Sequence, residues 1–430
     1  MLRRSSGELD RSVADTGGRD LRGSEAEAHA SKAPSRASQR GLDWFTFFVA
    51  DIQTGFGPFL SVYLTTQKWT QVDIGLVLSI GSIVSLLGQV PGGWVVDWVR
   101  SKQRAAALAV IGIGLSALII AVAPLFATIV AAKLLHVASS SVLGPAVAAI
   151  TLGLVGHAAV SPRLGRNARF AAIGNGLAAG VMGACGYFVS AQAVFFVTAV
   201  LAVPAVLALS RIREADVDPV RADGGIDACS ASAAAAGLSR LLLRPPLVIL
   251  TICVLLFHVA NAAMLPLVGS DVTMRSTQWA TALVAACIIA PQFVVASISP
   301  AVGRLAQSWG RRPLFLIGFA ALPLRGALLA WTNDPYMIVA VQALDGISGA
   351  VLGVLVPLAL ADISRGTGRF NLAQGIVGSA TGIGAALSTI GAGYLADRFG
   401  TATAFAGLAA TGVFAFVLLL ATMPETKPAE

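Results

Sequence analysis

From residue 44 onward, apolar stretches of about 20 residues alternate with short polar breaks. Each stretch is long enough to cross roughly 30 Å of hydrocarbon as a helix. The stretches are continuous apolar runs and lack the alternation of barrel strands, so the pattern predicts helices. Twelve spans are predicted, at residues 44–66, 72–96, 105–125, 127–154, 170–190, 192–210, 246–268, 279–301, 313–331, 336–360, 371–394 and 402–422.

The composition agrees with this pattern. Hydrophobic residues make up 56% of the 430 residues and charged residues 12%, and the mean hydropathy is +0.78. These values exclude the soluble classes and indicate an all-α protein that crosses a membrane many times.

The formal net charge of +8 could suggest nucleic acid, but its distribution argues for membrane topology. If both termini face the cytoplasm, 25 of the 30 Lys and Arg residues lie in cytoplasmic segments. The positive-inside rule therefore predicts a multi-pass protein of the cell (inner) membrane with both termini cytoplasmic. The lipid bilayer is then its partner, and no nucleic acid is expected.

The polar segments predict the domain boundaries. The first residues have almost no bulky apolar side chain and no apolar run of signal-peptide length, so disorder is expected there. A long polar loop separates six spans from six, and we interpret it as a linker. The predicted units are a disordered cytoplasmic tail (1–43), a six-helix bundle (44–210), a cytoplasmic linker (211–245), a second bundle (246–423) and a tail (424–430).

The two predicted bundles share internal repeats. Residues 129–144, IVAAKLLHVASSSVLG, return at 338–353 as IVAVQALDGISGAVLG, 209 positions later, with eight of sixteen positions identical. The loops after spans 2 and 8 also match, with Gly93 and Gly303 lying 210 positions apart. Parallel six-helix repeats are the architecture of one large class of transporters.

Motifs for other functions are missing from the sequence. The four cysteines have no paired spacing, so we expect no disulfide and no metal cluster. We find no Walker loop and no nucleophile elbow, which argues against ATP-driven transport and against an enzyme. No cofactor is expected, and the energy source would be a proton gradient.

The loops after spans 2 and 8 also carry a family signature: Gly, three residues, Asp, a basic residue, one residue, Gly, then basic residues. The copy after span 8 fits this signature at its Gly and Arg positions but has Gln in place of Asp. The copy after span 2 keeps Asp97 but has Trp98 where a basic residue is usual and Arg100 where Gly is usual. Through this motif and the repeats, residues 44–422 resemble the major facilitator superfamily. The residues at motif positions are Gly93, Asp97, Arg100, Gly303, Gln307, Gly310, Arg311 and Arg312.

The resemblance implies two pseudo-symmetric six-helix bundles around a central cavity lined by spans 1, 4, 7 and 10. It also implies that the motif is a cytoplasmic gate, whose charge network forms in one conformation and breaks in the other. The alternative for these loops is a solvated, positively charged surface.

Ionisable residues deep in a span persist mainly where they face a cavity or a partner. Five of the six deep ionisable residues fall on spans 1, 4, 7 and 10, and neighbouring amides are further candidates. The expected roles are proton coupling for Asp51 and Asp345; substrate contact for Lys133, His136, His258, Asn261 and Gln342; and a buried counter-ion for Arg325. Gln89 and Gln292 are weaker candidates.

Each of these roles has an alternative. Asp345 can form a static salt bridge with Arg325 or Lys133. Each histidine can be a hydrogen-bonded core residue, and Asn261 can simply hold helices together.

The sequence thus predicts a secondary active transporter of a small molecule that works by alternating access and is coupled to protons. Export by proton antiport is the leading hypothesis. Proton-coupled uptake of a small organic anion or metabolite is the alternative, since Lys133 and His136 could receive an anion. A transporter-like receptor would be expected to show a folded soluble domain, and none is predicted. A monomer is expected.

Overall fold

The computed structural model describes residues 34–54, 56, 58–225, 244–275 and 280–427. Most of the predicted N-terminal tail, the middle of the predicted linker and Cys229 lie outside these residues. The described α-helices are α1 (Arg36–Thr54), α2 (Pro58–Thr66), α3 (Gln71–Trp98), α4 (Lys102–Val122), α5 (Phe126–Phe188), α6 (Ala193–Ser210), α7 (Pro219–Ala222), α8 (Pro245–Asn261), α9 (Met264–Arg275), α10 (Ala280–Ser308), α11 (Arg312–Trp331), α12 (Pro335–Ser364), α13 (Phe370–Phe399) and α14 (Thr401–Thr422).

Ten candidate spans among the described residues are long and apolar enough to cross a membrane. They account for the predicted spans except the first, which is divided into α1 and α2. Spans 4 and 5 form the single 63-residue helix α5, which bends at Gly156 with φ 67° and ψ 175°. That conformation suits glycine because it has no Cβ atom.

Helix starts carry local capping signals. Thr70 accepts a hydrogen bond from the backbone N–H of Asp73 at the start of α3. Asp334 does the same for Met337 at the start of α12, where Pro335 occupies the first turn. Such caps satisfy backbone donors that have no partner within the helix.

The structure differs from the prediction at the start of α1. This helix begins at Arg36, so residues 36–43 are helical although the sequence places them in a disordered tail. The side chain of Asp216 in the predicted linker accepts hydrogen bonds from the Ser35 and Ser38 hydroxyls, each at 2.6 Å. This contact joins segments far apart in sequence, so no local pattern could reveal it.

Part of the predicted linker is also structured. Glu214–Asp216 is a 3-10 helix, and Val217 and Ala222 are buried in the core of the first half. The backbone N–H of Asp218 donates to the carbonyl of Gly153 at 3.1 Å. We call residues 213–225 the strap.

The described residues form two main apolar cores, one for each half of the chain. Phe45 and Phe195 belong to the core of the first half. Phe257 and Phe319 belong to that of the second half, which also includes Leu152, Val160 and Leu164 of α5. The structure is therefore a membrane protein of two six-helix bundles, and the bundles meet along α3 with α13 and α5 with α10.

Candidate functional site

At one end of the molecule, polar loops of both bundles lie together. The positive-inside rule predicts that this end faces the cytoplasm, and we call it the basic end. There the carboxylate of Asp97, in the last turn of α3, faces the N-terminus of α13 in the other bundle. It accepts hydrogen bonds from the backbone N–H groups of Asn371 (3.1 Å) and Leu372 (2.9 Å) and from the Asn371 side chain (2.8 Å). A carboxylate is well suited to this position because a helix N-terminus carries partial positive charge. We call these contacts the Asp97 latch.

Small residues allow the bundles to touch at the basic end. A Cβ atom at Gly93 would collide with the backbone carbonyl of Asn371. Across the other contact, the Ser161 hydroxyl donates to the carbonyl of Gly303 at 2.5 Å. The side-chain amide of Gln307 donates to the carbonyl of Ala158 at 3.0 Å. Four predicted gate residues therefore lie where the two bundles meet.

The other predicted gate residues lie elsewhere. Gly310 has a φ of 90°, and the following backbone N–H groups of Arg311 and Arg312 donate to the carboxylate of Glu425. Arg311 also forms a salt bridge with Asp362 at 2.9 Å. These contacts stay within the second bundle. Arg100 is exposed in the loop between α3 and α4.

The strap adds a third connection beside the Asp97 latch. Asp223 forms a salt bridge with Lys102 at 2.7 Å, and its backbone carbonyl accepts from Phe370 at 3.2 Å. The carbonyl of Gly224 accepts from Gly366 at 2.7 Å. Burial raises the pKa of Asp223 to about 6, although the Lys102 ammonium offsets part of this effect.

A central cavity of about 650 Å³ lies between the bundles, next to the Asp97 latch. Helices α1, α3, α5, α10, α12 and α13 line it. Its polar side chains are neutral, and none of its described lining residues is Lys, Arg, His, Asp or Glu. They are the amides Gln53, Gln89, Asn167, Asn175, Gln292 and Gln374 and the hydroxyls Thr46 and Thr151.

A smaller cavity of about 340 Å³ adjoins the central one, because Gly349 and Gly353 of α12 line both. We call it the side lobe. Three predicted site residues line it, namely His258, Asn261 and Asp345. The structure thus brings these three together in the second bundle.

Arg325 of α11 contacts two members of this group. Its side chain is 1% exposed and donates to Asp345 at 2.6 Å and to Asn261 at 2.6 Å. Two further donors reach the amide oxygen of Gln342, at 3.0 and 2.6 Å. Gln342 is fully buried and lines neither cavity. The Arg325–Asp345 pair is one of the two static pairs weighed for Asp345 from the sequence.

Lys133 and His136 lie apart from this group. The His136 ring packs against Phe56, with centroids 3.7 Å apart and the ring planes tilted by 33°. The Lys133 side chain packs against Gly81 of α3. Neither residue is among those that line the central cavity or the side lobe. Their roles in substrate contact stay predictions.

Asp51 has a different environment from Asp345. It is 4% exposed, and its Oδ1 atom has no hydrogen-bond partner among the described residues. It faces α5, where a Cβ atom at Gly174 would lie 2.8 Å from this oxygen. Its neighbours Ala50 and Gln53 line the central cavity. Asp51 is therefore a buried carboxyl next to the cavity wall.

The sequence pointed to ionisable residues and largely missed the amides. Gln89 and Gln292 were weak candidates, whereas Gln53, Asn167, Asn175 and Gln374 were not identified. The feature of the sequence that could have identified these residues is a polar amide inside or at the end of an apolar span. Among the described residues, no three His, Cys, Asp or Glu side chains are grouped as metal ligands.

Comparisons with known proteins agree with this architecture. The sequence pattern of the Major Facilitator Superfamily matches residues 44–294 and 247–430. An uncharacterized MFS-type transporter of Mycobacterium tuberculosis, found in two strains, is 41% identical over 392 residues, which cover 90% of this chain and 93% of the relative. A multidrug resistance protein of Schizosaccharomyces pombe is 29% identical over 171 residues, 39% of this chain and 30% of that protein.

Solved structures share the fold at low sequence identity. The human organic anion transporter MFSD10 superimposes with a TM-score of 0.70 at 15% identity. The nucleoside transporter NupG does so with a TM-score of 0.63 at 16% identity. Each superposition covers 90% of this chain and 100% of the solved structure's chain.

Proposed function

Because the chain belongs to the major facilitator superfamily of membrane transporters, we propose that it exports a small organic compound without net charge in exchange for protons. The substrate binds in the central cavity between the bundles. The Asp97 latch closes the basic end in one state of an alternating-access cycle and opens in the other.

The lining of the central cavity supports an uncharged substrate. Its volume of about 650 Å³ lies within the range of roughly 300–1,000 Å³ that is usual for small-molecule sites. Side-chain amides both donate and accept hydrogen bonds, so they suit carbonyl and hydroxyl groups. A charged substrate would enter without a countercharge from the described lining residues.

The environment of Asp51 is the observation that carries the proposal of proton coupling. The Oδ1 atom of Asp51 is buried without a hydrogen-bond partner among the described residues, and a poorly paired charge is disfavoured away from water, so this environment favours a carboxyl that carries a proton. Opening of the basic end would admit water and allow the proton to leave. Asp345 differs because it forms a salt bridge with Arg325 at 2.6 Å.

One observation supports export of an organic compound, namely the partial likeness to a multidrug resistance protein. If the basic end faces the cytoplasm, as the positive-inside rule predicts, protons that leave Asp51 there move inward, and the proposed exchange carries the substrate outward. Uptake of an organic anion has less support, because no cation lines the central cavity among its described residues.

The test uses purified protein in liposomes that contain a pH-sensitive dye, with a panel of neutral, cationic and anionic organic compounds. Wild type is expected to move a neutral compound against its gradient when a proton gradient is imposed. Asp51→Asn should lose this accumulation but retain exchange of labelled for unlabelled compound, because only the proton carrier is removed. The matched control is Asp397→Asn, an exposed carboxyl at the end of α13.

Two results would contradict the proposal. Gradient-driven accumulation by Asp51→Asn at the wild-type rate would exclude Asp51 as the proton carrier. Transport restricted to anions would exclude the proposed substrate class.

A further inference from the structure

A third cavity, of about 540 Å³, lies outside the transport path at the basic end. One wall is the loop between α3 and α4, and the other is the strap. The polar residues that line it are Arg100, Ser101, Lys102, Gln103, Arg104 and Glu214. We call it the basic pocket.

The basic pocket holds two guanidinium groups without a salt-bridge partner among the described residues. Arg100 and Arg104 are both exposed. The ammonium group of Lys102 already has partners, since it donates to the carbonyls of Val96 and Val99 and forms a salt bridge with Asp223. Glu214 is the acidic group among the described lining residues, so positive charge prevails in the pocket.

Further donors converge on the same cavity. The 21-residue helix α4 begins at Lys102, and the Ser101 hydroxyl accepts a hydrogen bond from the backbone N–H of Arg104. The backbone N–H groups of Lys102 and Gln103 have no partner within the helix. The Nε2 atom of Gln103 is buried and has no hydrogen-bond partner among the described residues. Planar guanidinium groups combined with amide donors match the geometry of a phosphate.

The position of the basic pocket identifies the source of the phosphate. Trp98 and Trp94 in the last turns of α3 are 78% and 50% exposed. Exposed tryptophans at the end of a membrane helix mark the depth of the lipid headgroups. Basic pockets on the cytoplasmic side of membrane helices are suited to anionic headgroups.

We propose that the basic pocket binds the phosphate of an anionic phospholipid, held by Arg100 and Arg104. A bound phosphate would connect the α3–α4 loop to the strap, because Val217 and Pro219 of the strap form the facing wall. The strap in turn carries Asp223 beside the Asp97 latch. The lipid would therefore favour the state in which the basic end is closed.

The experiment measures lipid retention by native mass spectrometry, after reconstitution in phosphatidylcholine with increasing phosphatidylglycerol. Arg100→Gln/Arg104→Gln should weaken retention of phosphatidylglycerol at least about tenfold, since both charge-assisted contacts to the phosphate are lost. The control Arg40→Gln/Arg304→Gln removes two exposed charges at the same end but outside the pocket, and it should stay within about twofold.

A third variant changes binding in the opposite direction. Glu214→Gln removes the carboxylate that repels a phosphate and should strengthen retention of phosphatidylglycerol. A gain in lipid retention cannot come from loss of folding.

Inorganic phosphate distinguishes a lipid from a soluble anion. Added at constant ionic strength, it should displace phosphatidylglycerol from wild type only at millimolar concentrations if a lipid is the ligand. Stronger binding of inorganic phosphate than of phosphatidylglycerol would assign the pocket to a soluble phosphate. Equal lipid retention by wild type and Arg100→Gln/Arg104→Gln, or equal loss in the control, would overturn the proposal.

Discussion

Removal of the Asp97 carboxylate should shift the molecule toward the state in which the basic end is open. In Asp97→Ala, three hydrogen bonds between the bundles disappear, and two backbone N–H groups at the start of α13 lose their acceptor. An anionic group that caps a helix in this way contributes about 2 kcal/mol. The ratio of open to closed molecules should therefore rise about 30-fold. Asp97→Asn keeps an acceptor but loses the charge, so about half of this energy should remain.

Electron–electron distance measurements can follow this shift. Spin labels at Ala159 of the first bundle and Ser308 of the second occupy exposed positions at the basic end, in a background where the four cysteines are replaced by serine. The population at longer distance should increase in the order wild type, Asp97→Asn, Asp97→Ala. Asp397→Ala provides the control, because Gly393 and Asp397 repeat the motif spacing at the other end of α13.

A distance distribution in Asp97→Ala that matches wild type would show that the Asp97 latch does not hold the basic end closed. The same shift in Asp397→Ala would show that the effect does not depend on contacts at the basic end. Loss of thermal stability in detergent, measured in parallel, separates a conformational shift from unfolding.

Two other contacts allow quantitative predictions. Burial raises the pKa of Asp223 from 3.8 to about 6, although the Lys102 and Arg369 cations offset part of this effect. The closed basic end is therefore favoured at low pH, and this contribution is lost as pH rises through about 6. The same distance measurement should show this dependence in wild type and a weaker one in Asp223→Asn. Arg325→Met leaves the acceptors on Asp345, Gln342 and Asn261 unpaired and should lower the free energy of unfolding by about 3 kcal/mol. Thermal unfolding should show this loss, whereas Arg398→Met at an exposed position should behave as wild type.

The helical architecture follows from the sequence because lipid demands continuous apolar helices. The apolar runs locate the spans, and the repeats at 129–144 and 338–353 indicate two related bundles. The motif likewise located Asp97 and Gly303, which lie where the bundles meet. The partners of these residues were not predicted, since Asn371 and Ser161 lie far away in sequence.

The lining of the cavity was harder to predict than the helices that carry it. Depth along a helix follows from residue numbers, but the direction of a side chain depends on packing. His136 lies on the same helix as the cavity residue Pro145, yet its ring packs on Phe56. Arg325 and Asp345 neutralise each other at 2.6 Å, so a deep charge alone does not indicate a substrate contact. Amides such as Gln374 and Asn167 were not identified, because they carry no charge.

The strap also changes where the first half of the molecule ends. Residues 213–225 contribute Val217 and Ala222 to the first core and hold Asp223 against Lys102, so this half extends to residue 225 and not to residue 210. A break in the chain between residues 226 and 243 would leave the strap attached to the first half, and its carbonyls would still accept hydrogen bonds from Gly366 and Phe370 of the second half. At the basic end the two halves are thus held together by contacts that do not depend on an unbroken chain.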